Sequence, residues 1–359
     1  MPTNIFESRQ NKLKSVLAEQ KLDGILITRL SNVRYISGFT GSAGSCIITP
    51  ENDYFITDGR YMEQSKQEVK GFERFIDKGT HIEIAQKNNL IHNGLKLAVE
   101  GDFLSLSLYN QLNDLFPDIK WESTKMILEN LAAVKDESEL KALRTAVEIT
   151  DKIFDEVLQF FKIGVSEKEI ALELAIRYQK YGEGEAFSSI VASGPNSALP
   201  HAQPGDRKLK HGDFVVVDAA AKYAGYHADM TRTVVIGKPT NKHREIYELV
   251  KKAQQAGIDA AQAGVTCKAV DDATRDVIAD AGYGDKFIHS TGHGIGLEIH
   301  SFPRLSQQSE EILHENNVVT IEPGVYLTGW GGVRIEDDIV VKKDGNEVLN
   351  KTSKELLIL

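Results

Sequence analysis

Cysteine is nearly absent from this 359-residue chain, which contains only Cys46 and Cys267. Small secreted proteins that depend on disulfides have several more, so that class is excluded and two reduced thiols are expected. Long apolar runs are also missing: no stretch approaches the roughly 20 residues that span a bilayer. The start, "MPTNIFESRQNKLK", has no apolar segment of signal-peptide length. These absences predict a cytoplasmic protein without a membrane-spanning segment.

A basic segment is lacking as well. The chain has 42 Lys and Arg against 52 Asp and Glu, a net charge of −10 at pH 7. Without a block of cations to neutralise phosphates, a nucleic-acid partner is not expected. Three glycines, Gly292, Gly294 and Gly296, lie close together, but no strand followed by a complete G-x-G-x-x-G pattern is present. A nucleotide-binding loop is therefore excluded.

Alternating strand and helix patterns organise the first third of the chain. A length of 359 residues exceeds one ordinary core, so two domains are expected. Residues 5–20 have the pattern of an amphipathic helix. Strand-length apolar runs, "LDGILITR", "SCIITP", "DYFITD", "FERFI" and "LKLAVE", then alternate with the helical patterns "YMEQSKQEV" and "SLSLYNQLNDLF". This alternation predicts an α/β N-terminal domain over residues 1–124.

A second domain is predicted after a linker at residues 125–135. Asp136 and Glu139 have the spacing of a capping box, and apolar residues recur behind them at helical intervals. Ser166 and Glu169 form a second such pattern. The second domain is therefore expected to open with two paired helices.

Strand patterns dominate from about residue 187 onward. Helical stretches are predicted at 241–263 and 268–282, and the final "KELLIL" has the character of a strand. These patterns predict an α+β domain over residues 136–359, in which helices frame a mostly antiparallel sheet.

Two aspartates mark the ends of neighbouring strand patterns. Asp218 ends the apolar run "DFVVVD", and Asp229 follows 11 positions later in "YHADMTRTVVI". A strand, a short connection around Gly225 and a returning strand would bring the two carboxylates together. In the returning strand, Asp229 is expected to share one face with Thr231 and Thr233.

Two glutamates occupy similar places near the C-terminus. Glu322 ends the run "VVTIE" before a Pro-Gly turn, and Glu336 lies in "GGVRIEDDIVV". The alternation of side chains predicts that Glu336 lies inside a strand, on the same face as Arg334 and Asp338.

Three histidines, His289, His293 and His300, lie among glycines that permit close backbone approach. A lone strand acid is usually solvated and a lone histidine is usually structural, but here four acids and these histidines occur together. Buried carboxylates need a compensating charge, and two divalent cations can share four carboxylates when some of them bridge. Oxygen-rich ligands with one imidazole favour Mn²⁺ or Mg²⁺, or the borderline Co²⁺ or Zn²⁺.

These segments carry a family resemblance. "DAAAKYAGYHADMTRT", "STGHGIGLEIH", "IEPGVY" and "GGVRIEDDIVV" resemble, in order, the motifs of the pita-bread metallopeptidases (family M24), in the branch of aminopeptidase P and prolidase. "NVRYISGFTGSAG" and "TDGRY" resemble the creatinase N-terminal domain. The resemblance implies a creatinase-like α/β domain followed by an α+β pita-bread catalytic domain.

The resemblance also implies a ligand set. Carried over position by position, the metal ligands fall on Asp218, Asp229, His293, Glu322 and Glu336. In the family the second aspartate and the last glutamate bridge two divalent ions, for which Mn²⁺ is expected here, with Co²⁺ and Zn²⁺ as alternatives. One departure is that Ala220 stands where the family usually has glycine.

The catalytic roles that the resemblance implies fall on five side chains: His201, His289, His300, Glu322 and Arg334. Glu322 is expected to accept a proton from the water that the two ions activate. His289 or His300 would donate to the oxyanion, His201 would lie nearby, and Arg334 would orient Glu336.

The expected reaction is hydrolysis of an N-terminal Xaa-Pro bond by an aminopeptidase P-like homodimer or larger homo-oligomer. The alternative is a prolidase restricted to dipeptides. A creatinase-type enzyme lacks these metal ligands, a non-catalytic binding relative is expected to have lost some of them, and methionine aminopeptidase lacks a comparable first domain.

Overall fold

The computed structural model describes residues 5–359 and divides the chain into two compact units, one ending at Ala132 and the other comprising Ala133–Leu359. The division lies within residues 125–135, where a linker is predicted; helix Ile127–Ala133 occupies most of that segment. Within residues 5–359, none of the helices combines the length and the apolar character that a bilayer-spanning segment requires.

The first unit is built on a six-stranded mixed sheet with the order β4-β3-β2-β1-β5-β6. Its strands are β1 Gly24–Ile27, β2 Ser45–Ile48, β3 Asp53–Thr57, β4 Glu73–Ile76, β5 Lys96–Glu100 and β6 Lys120–Thr124. The central strand β1 is buried throughout and pairs parallel to β5 and antiparallel to β2. Strands β2 and β3, which follow one another in the chain, pair antiparallel.

Helices cover this sheet. They are α1 Ile5–Glu19, α2 Leu30–Ser37, α3 Met62–Glu68, α4 His81–Lys87, α5 Leu106–Leu115 and α6 Ile127–Ala133. The sequence analysis did not predict helices α2, α4 and α6 or strand β6. Helix α2 is rich in β-branched and aromatic residues, but packing buries Val33, Tyr35 and Ile36, and tertiary context outweighs propensity. The predicted α/β class is confirmed.

Four long helices frame the second unit: α7 Glu137–Val157, α8 Glu167–Tyr181, α9 Asn241–Ala260 and α10 Cys267–Asp280. The two predicted capping boxes are confirmed, because Asp136 and Glu139 cap α7 reciprocally and Ser166 and Glu169 cap α8. Each box pairs two N–H groups that the first turn of a helix would otherwise leave unsatisfied.

The strands of the second unit are short and mostly antiparallel, as predicted. They are β7 Ile190–Ser193, β8 Phe214–Asp218, β9 Lys222–Tyr223, β10 Tyr226–His227, β11 Thr231–Val235, β12 Gly292–Gly294, β13 Ser301–Leu305, β14 Val318–Ile321, β15 Gly324–Leu327, β16 Gly331–Arg334, β17 Asp337–Lys342, β18 Gly345–Val348 and β19 Leu357–Ile358. They form the sheets β19-β11-β8-β7 and β13-β12-β14-β17-β18 and the pairs β10-β9 and β15-β16.

Two strand predictions need correction. Asp229 precedes β11 instead of lying within it, because the small hairpin β9-β10 occupies part of the connection from β8. Glu336 lies between β16 and β17 and not inside one strand. The chain changes sheets at this point, since β16 pairs with β15 while β17 joins the five-stranded sheet. This break removes the simple alternation that would place Arg334, Glu336 and Asp338 on one face.

Candidate metal centre

Asp218 ends strand β8, opposite Thr231 in the neighbouring strand β11. Its Oδ2 accepts a hydrogen bond of 2.6 Å from Nη2 of Arg334. Its Oδ1 is buried and accepts no hydrogen bond from any described residue. A buried carboxylate oxygen without a partner is unfavourable unless a donor or a cation approaches it. Oδ1 of Asp218 is therefore placed to act as a metal ligand.

Asp229 and Glu336 are almost completely buried and are held by nearby polar groups. The backbone N–H of Asp229 donates to Oδ2 of Asp338 at 2.9 Å. The backbone N–H of Glu336 donates to the carbonyl of Thr231 at 3.1 Å, and the Thr231 hydroxyl donates to Oε2 of Glu336 at 2.8 Å. Thr231 thus fixes both the backbone and the side chain of Glu336.

The ring of His293 presents a lone pair to two carboxylates. Its Nδ1 lies 3.1 Å from the carbonyl oxygen of Gly294, which can only accept, so Nδ1 carries the proton. Burial, and secondly the neighbouring His300, lower the pKa of His293 to about 4, so the ring is neutral near pH 7. The lone pair on Nε2 then lies 3.5 Å from Oδ2 of Asp229 and 3.6 Å from Oε1 of Glu322. A neutral imidazole facing two acids in this way is the arrangement that a shared cation stabilises.

Candidate ligand atoms of three buried residues, Asp229, His293 and Glu336, all lie within 4.8 Å of one another. Glu322 adjoins this group through His293. Asp218 adjoins it electrostatically, because its charge raises the pKa of Glu336. The structure thus brings together the carboxylates and the imidazole that the sequence patterns select.

The pKa values of the acids report mutual repulsion in a dry site. Burial, followed by repulsion from Glu336, raises the pKa of Asp229 and of Glu322 well above their ordinary values. Burial, followed by repulsion from Asp218, raises the pKa of Glu336 from 4.5 to about 8. Carboxylates behave in this way when burial and like charge outweigh the counter-charge nearby, which here comes from Arg334. A divalent ion would supply the additional positive charge.

Arg334 connects the centre to a tyrosine and a histidine. Its Nε donates to the Thr231 hydroxyl at 3.0 Å, and its Nη1 donates to the Tyr326 hydroxyl at 2.9 Å. Together with the bond to Asp218, these contacts hold the planar guanidinium in one orientation. Arg334 was expected to orient Glu336; the direct carboxylate partner is Asp218, and Thr231 provides the link to Glu336.

His289 lies at the end of this chain of hydrogen bonds. Its Nδ1 faces the carbonyl of Ser290 at 2.9 Å and therefore carries the proton, while its Nε2 lies 2.8 Å from the Tyr326 hydroxyl. Burial, and secondly the charge of Arg334, lower the pKa of His289 to about 4. The neutral ring therefore accepts from Tyr326, and both of its nitrogens are engaged within the protein.

The two remaining histidines are exposed. The ring of His300 lies edge-to-face against His293, with a centroid distance of 4.4 Å. His201 follows the short 3₁₀ helix Gly194–Ala198, next to Pro200, whose carbonyl accepts from Nη1 of Arg334 at 3.3 Å. Both side chains are therefore accessible to a ligand from solvent.

Sequence reasoning assigned no role at the centre to three side chains: Thr231, Tyr326 and Asp338. Thr231 was noted only as a neighbour of Asp229 on one strand face. Tyr326 lies within the segment "IEPGVY", opposite Gly332 in the β15-β16 pair. Because Gly332 has no side chain, this pairing could have identified Tyr326 as a packed tyrosine.

Comparisons with known proteins agree over the whole length. Residues 141–343 match metallopeptidase family M24, and residues 9–134 match the creatinase/prolidase N-terminal domain. The Xaa-Pro dipeptidase of Pyrococcus furiosus is 37% identical over 358 residues, which cover 98% of this chain and 100% of that one.

Two solved structures have the same fold. The Xaa-Pro dipeptidase from Bacillus anthracis is 42% identical, with a TM-score of 0.95 and coverage of 99% of this chain and 100% of that one. The X-Pro aminopeptidase from Thermotoga maritima is 38% identical, with a TM-score of 0.89 and coverage of 97% and 100%. These matches confirm the predicted order of a creatinase-type domain followed by a pita-bread domain.

Proposed function

Because the chain belongs to metallopeptidase family M24, we propose that it is a metal-dependent Xaa-Pro dipeptidase. The chain is a hydrolase of the metallo-exopeptidase class. The single observation that carries the proposal is the buried group of Asp229, His293 and Glu336, whose ligand atoms lie within 4.8 Å of one another.

The residues fit a pair of divalent cations. Four carboxylates and one imidazole supply hard oxygen donors and a single nitrogen, and Oδ1 of Asp218 has no hydrogen-bond partner among the described residues. Asp218, Asp229, His293, Glu322 and Glu336 would hold the ions. This donor set supports Mn²⁺, with Co²⁺ or Zn²⁺ as alternatives. When bound, the ions would acidify a water molecule and polarise the peptide carbonyl.

The other side chains position these groups. Thr231 holds Oε2 of Glu336, and Arg334 holds Oδ2 of Asp218. Glu322 adjoins His293 and is placed to accept and return a proton at its carboxylate during hydrolysis. His300 and His201 are exposed beside the centre and are the candidates for contacting substrate atoms.

The substrate proposed is a dipeptide with proline second. An Xaa-Pro bond is a tertiary amide without an N–H, and the pyrrolidine ring restricts the backbone, so a dedicated pocket is needed. Sequence reasoning favoured an aminopeptidase P, but the 42% identical dipeptidase structure and the 37% identical dipeptidase relative support the dipeptidase alternative. Because an X-Pro aminopeptidase structure is also 38% identical, the test includes a longer peptide.

Kinetics with matched substrates test this choice. The metal-loaded protein is expected to hydrolyse Ala-Pro with a kcat/KM at least about tenfold above that for Ala-Pro-Ala, a difference of about 1.4 kcal/mol in transition-state stabilisation. Ala-Ala serves as the control for proline selectivity. Faster cleavage of the tripeptide would instead establish the aminopeptidase, and no cleavage of either proline peptide would contradict both assignments.

His300→Ala is expected to lower kcat about 100-fold, the typical cost of removing an oxyanion donor. His300 is exposed and its ring packs against that of His293, so the thermal midpoint of the variant should stay close to that of the wild type. Turnover and melting temperature measured on the same preparation check this. His92→Ala is the control, because His92 is an exposed histidine in the first unit. Unchanged turnover in the folded variant would remove His300 from the mechanism.

We propose that the protein works in the cytoplasm as a homo-oligomer. Both cysteines are buried free thiols, which supports the reducing environment of the cytoplasm. A homodimer or larger homo-oligomer is proposed from the resemblance to two-domain relatives. Light scattering coupled to size exclusion would measure the mass directly, and a monomeric mass would contradict this part of the proposal.

A further inference from the structure

An ion pair between a partly buried arginine and a buried aspartate on helix α10 lies against the segment that carries the histidines. Asp271 and Arg275 are four residues apart on the helix. Nε of Arg275 donates to Oδ2 of Asp271 at 2.9 Å, and Nη2 donates to Oδ1 at 3.0 Å, so the pair is bidentate. Asp271 is completely buried. This two-point contact fixes the plane of the guanidinium.

The remaining N–H groups of Arg275 bind the backbone before strand β12. Nη1 donates to the carbonyl of Phe287 at 3.0 Å, and Nη2 donates to the carbonyl of His289 at 2.9 Å. The guanidinium carbon also lies 4.2 Å from the centre of the Phe287 ring. One side chain therefore holds two carbonyls, two residues apart, in a fixed register.

Asp271 extends these hydrogen bonds to the backbone of Thr291, which lies closer to the metal centre. Its Oδ1 accepts from the backbone N–H of Thr291 at 3.0 Å. The carbonyl of Thr291 in turn accepts from the backbone N–H of Glu322 at 2.7 Å. Thr291 is two residues before His293. The ion pair thus reaches, through Thr291, the backbone of two residues that would bind metal.

We propose that Asp271 and Arg275 form a positioning unit for the centre. The pair fixes the position of the backbone of residues 287–291 relative to α10. This position in turn determines where His289 lies and how far His293 lies from Glu322. This inference rests on the proposed peptidase function for its kinetic test only. Neither Asp271 nor Arg275 contacts the carboxylates of the proposed metal centre. Their influence on the proposed metal ligands therefore passes through backbone hydrogen bonds.

The same helix provides a matched comparison. Lys268 and Asp272 also form an ion pair four residues apart, but both side chains are exposed to solvent, and Lys268 donates a hydrogen bond to Asp272. Asp272→Asn removes an ion pair from α10 without touching the segment 287–291. A generic effect of helix stability would appear in this variant, whereas a positioning effect would not.

Arg275→Ala is expected to lower kcat for Ala-Pro by about 10- to 100-fold, with a smaller change in KM. It is also expected to weaken Mn²⁺ binding about tenfold. Both effects lie in the range seen when a group that orients a metal ligand is removed. Added guanidinium, at concentrations that leave the wild-type melting temperature unchanged, should restore part of kcat, since the ion can occupy the vacated space. Urea should not. Asp272→Asn should match the wild type in both readouts.

Arg275→Lys guards against a variant that does not fold. Lysine keeps the charge beside Asp271, but one ammonium group cannot reproduce the planar fork that holds two carbonyls. A folded lysine variant should therefore still lose kcat and Mn²⁺ affinity. Wild-type values of both in either Arg275 variant, or an equal loss in Asp272→Asn, would overturn the proposal.

Mn²⁺ affinity, measured by competition with a fluorescent chelator, separates this inference from the proposed function. If the wild type failed to hydrolyse Ala-Pro, the substrate assignment would fail. Weaker Mn²⁺ binding in the Arg275 variants would still support the positioning unit, and unchanged binding would contradict it.

Discussion

Asp229→Ala is expected to abolish Ala-Pro hydrolysis and to lower the Mn²⁺ content of the purified protein. Asp229 adjoins both His293 and Glu336, and the family resemblance implies that Asp229 and Glu336 are the two carboxylates shared by both ions. The loss in kcat should exceed about 100-fold, which is the upper cost of removing a group that merely orients a ligand. Turnover and metal content by elemental analysis, measured after chelation and refilling, check this expectation.

Asp276→Ala is the control for this experiment. Asp276 is an exposed acid on α10, so its loss changes the net charge equally without touching the centre. A normal metal content and normal turnover in Asp229→Ala would remove the bridging role of Asp229. Loss of metal in Asp276→Ala as well would point to a general effect of charge.

Glu336→Gln is expected to stabilise the metal-free protein at alkaline pH although it removes a ligand. Burial raises the pKa of Glu336 from 4.5 to about 8 in the folded protein, with repulsion from Asp218 as the second cause. The Thr231 hydroxyl can still donate to the amide oxygen of glutamine, so the buried hydrogen bond survives. The substitution therefore removes the charge and keeps the packing.

The sign of the pH dependence follows from the raised pKa. The folded metal-free protein binds the Glu336 proton more tightly than the unfolded chain does. This contribution is fully present below about pH 4.5, falls as pH rises, and is lost above about pH 8. At pH 5 the protonated acid and the amide should give similar unfolding free energies. At pH 8.5 metal-free Glu336→Gln should be more stable than metal-free wild type, by at most about 5 kcal/mol.

Urea unfolding after chelation, at both pH values, measures this difference. Adding Mn²⁺ should reverse the order at pH 8.5, because the wild type gains binding free energy that the variant lacks. A metal-free variant less stable than the metal-free wild type at pH 8.5 would contradict the view that uncompensated charge destabilises the centre.

Local patterns predicted much of the second unit. The capping boxes of α7 and α8 are short-range contacts between residues three apart, so composition and spacing are sufficient to place them. The acids were also found locally, because each one interrupts or ends an apolar run. Helix α2 was missed for the opposite reason: its residues favour strands, and burial against the rest of the unit decides its conformation.

The placement of Glu336 depended on long-range pairing. Residues 331–334 and 337–342 have the appearance of one continuous strand in the sequence, but they join different sheets, and Glu336 lies at the change. The hydrogen bond that holds its side chain comes from Thr231, 105 residues earlier. Such a contact leaves no periodic signal.

The kinds of ligand were determined by the sequence alone: carboxylates and histidines beside apolar strands, with no cysteine among them, specify a site for hard cations. Their convergence was decided by the tertiary structure. His293 and Asp229 approach within 3.5 Å only because separate sheets pack together and bury both groups. The free energy that holds like charges in this arrangement comes from the surrounding core, which joins neighbours of the acids, such as Val217 and Met230, to helix residues far along the chain, such as Ile153.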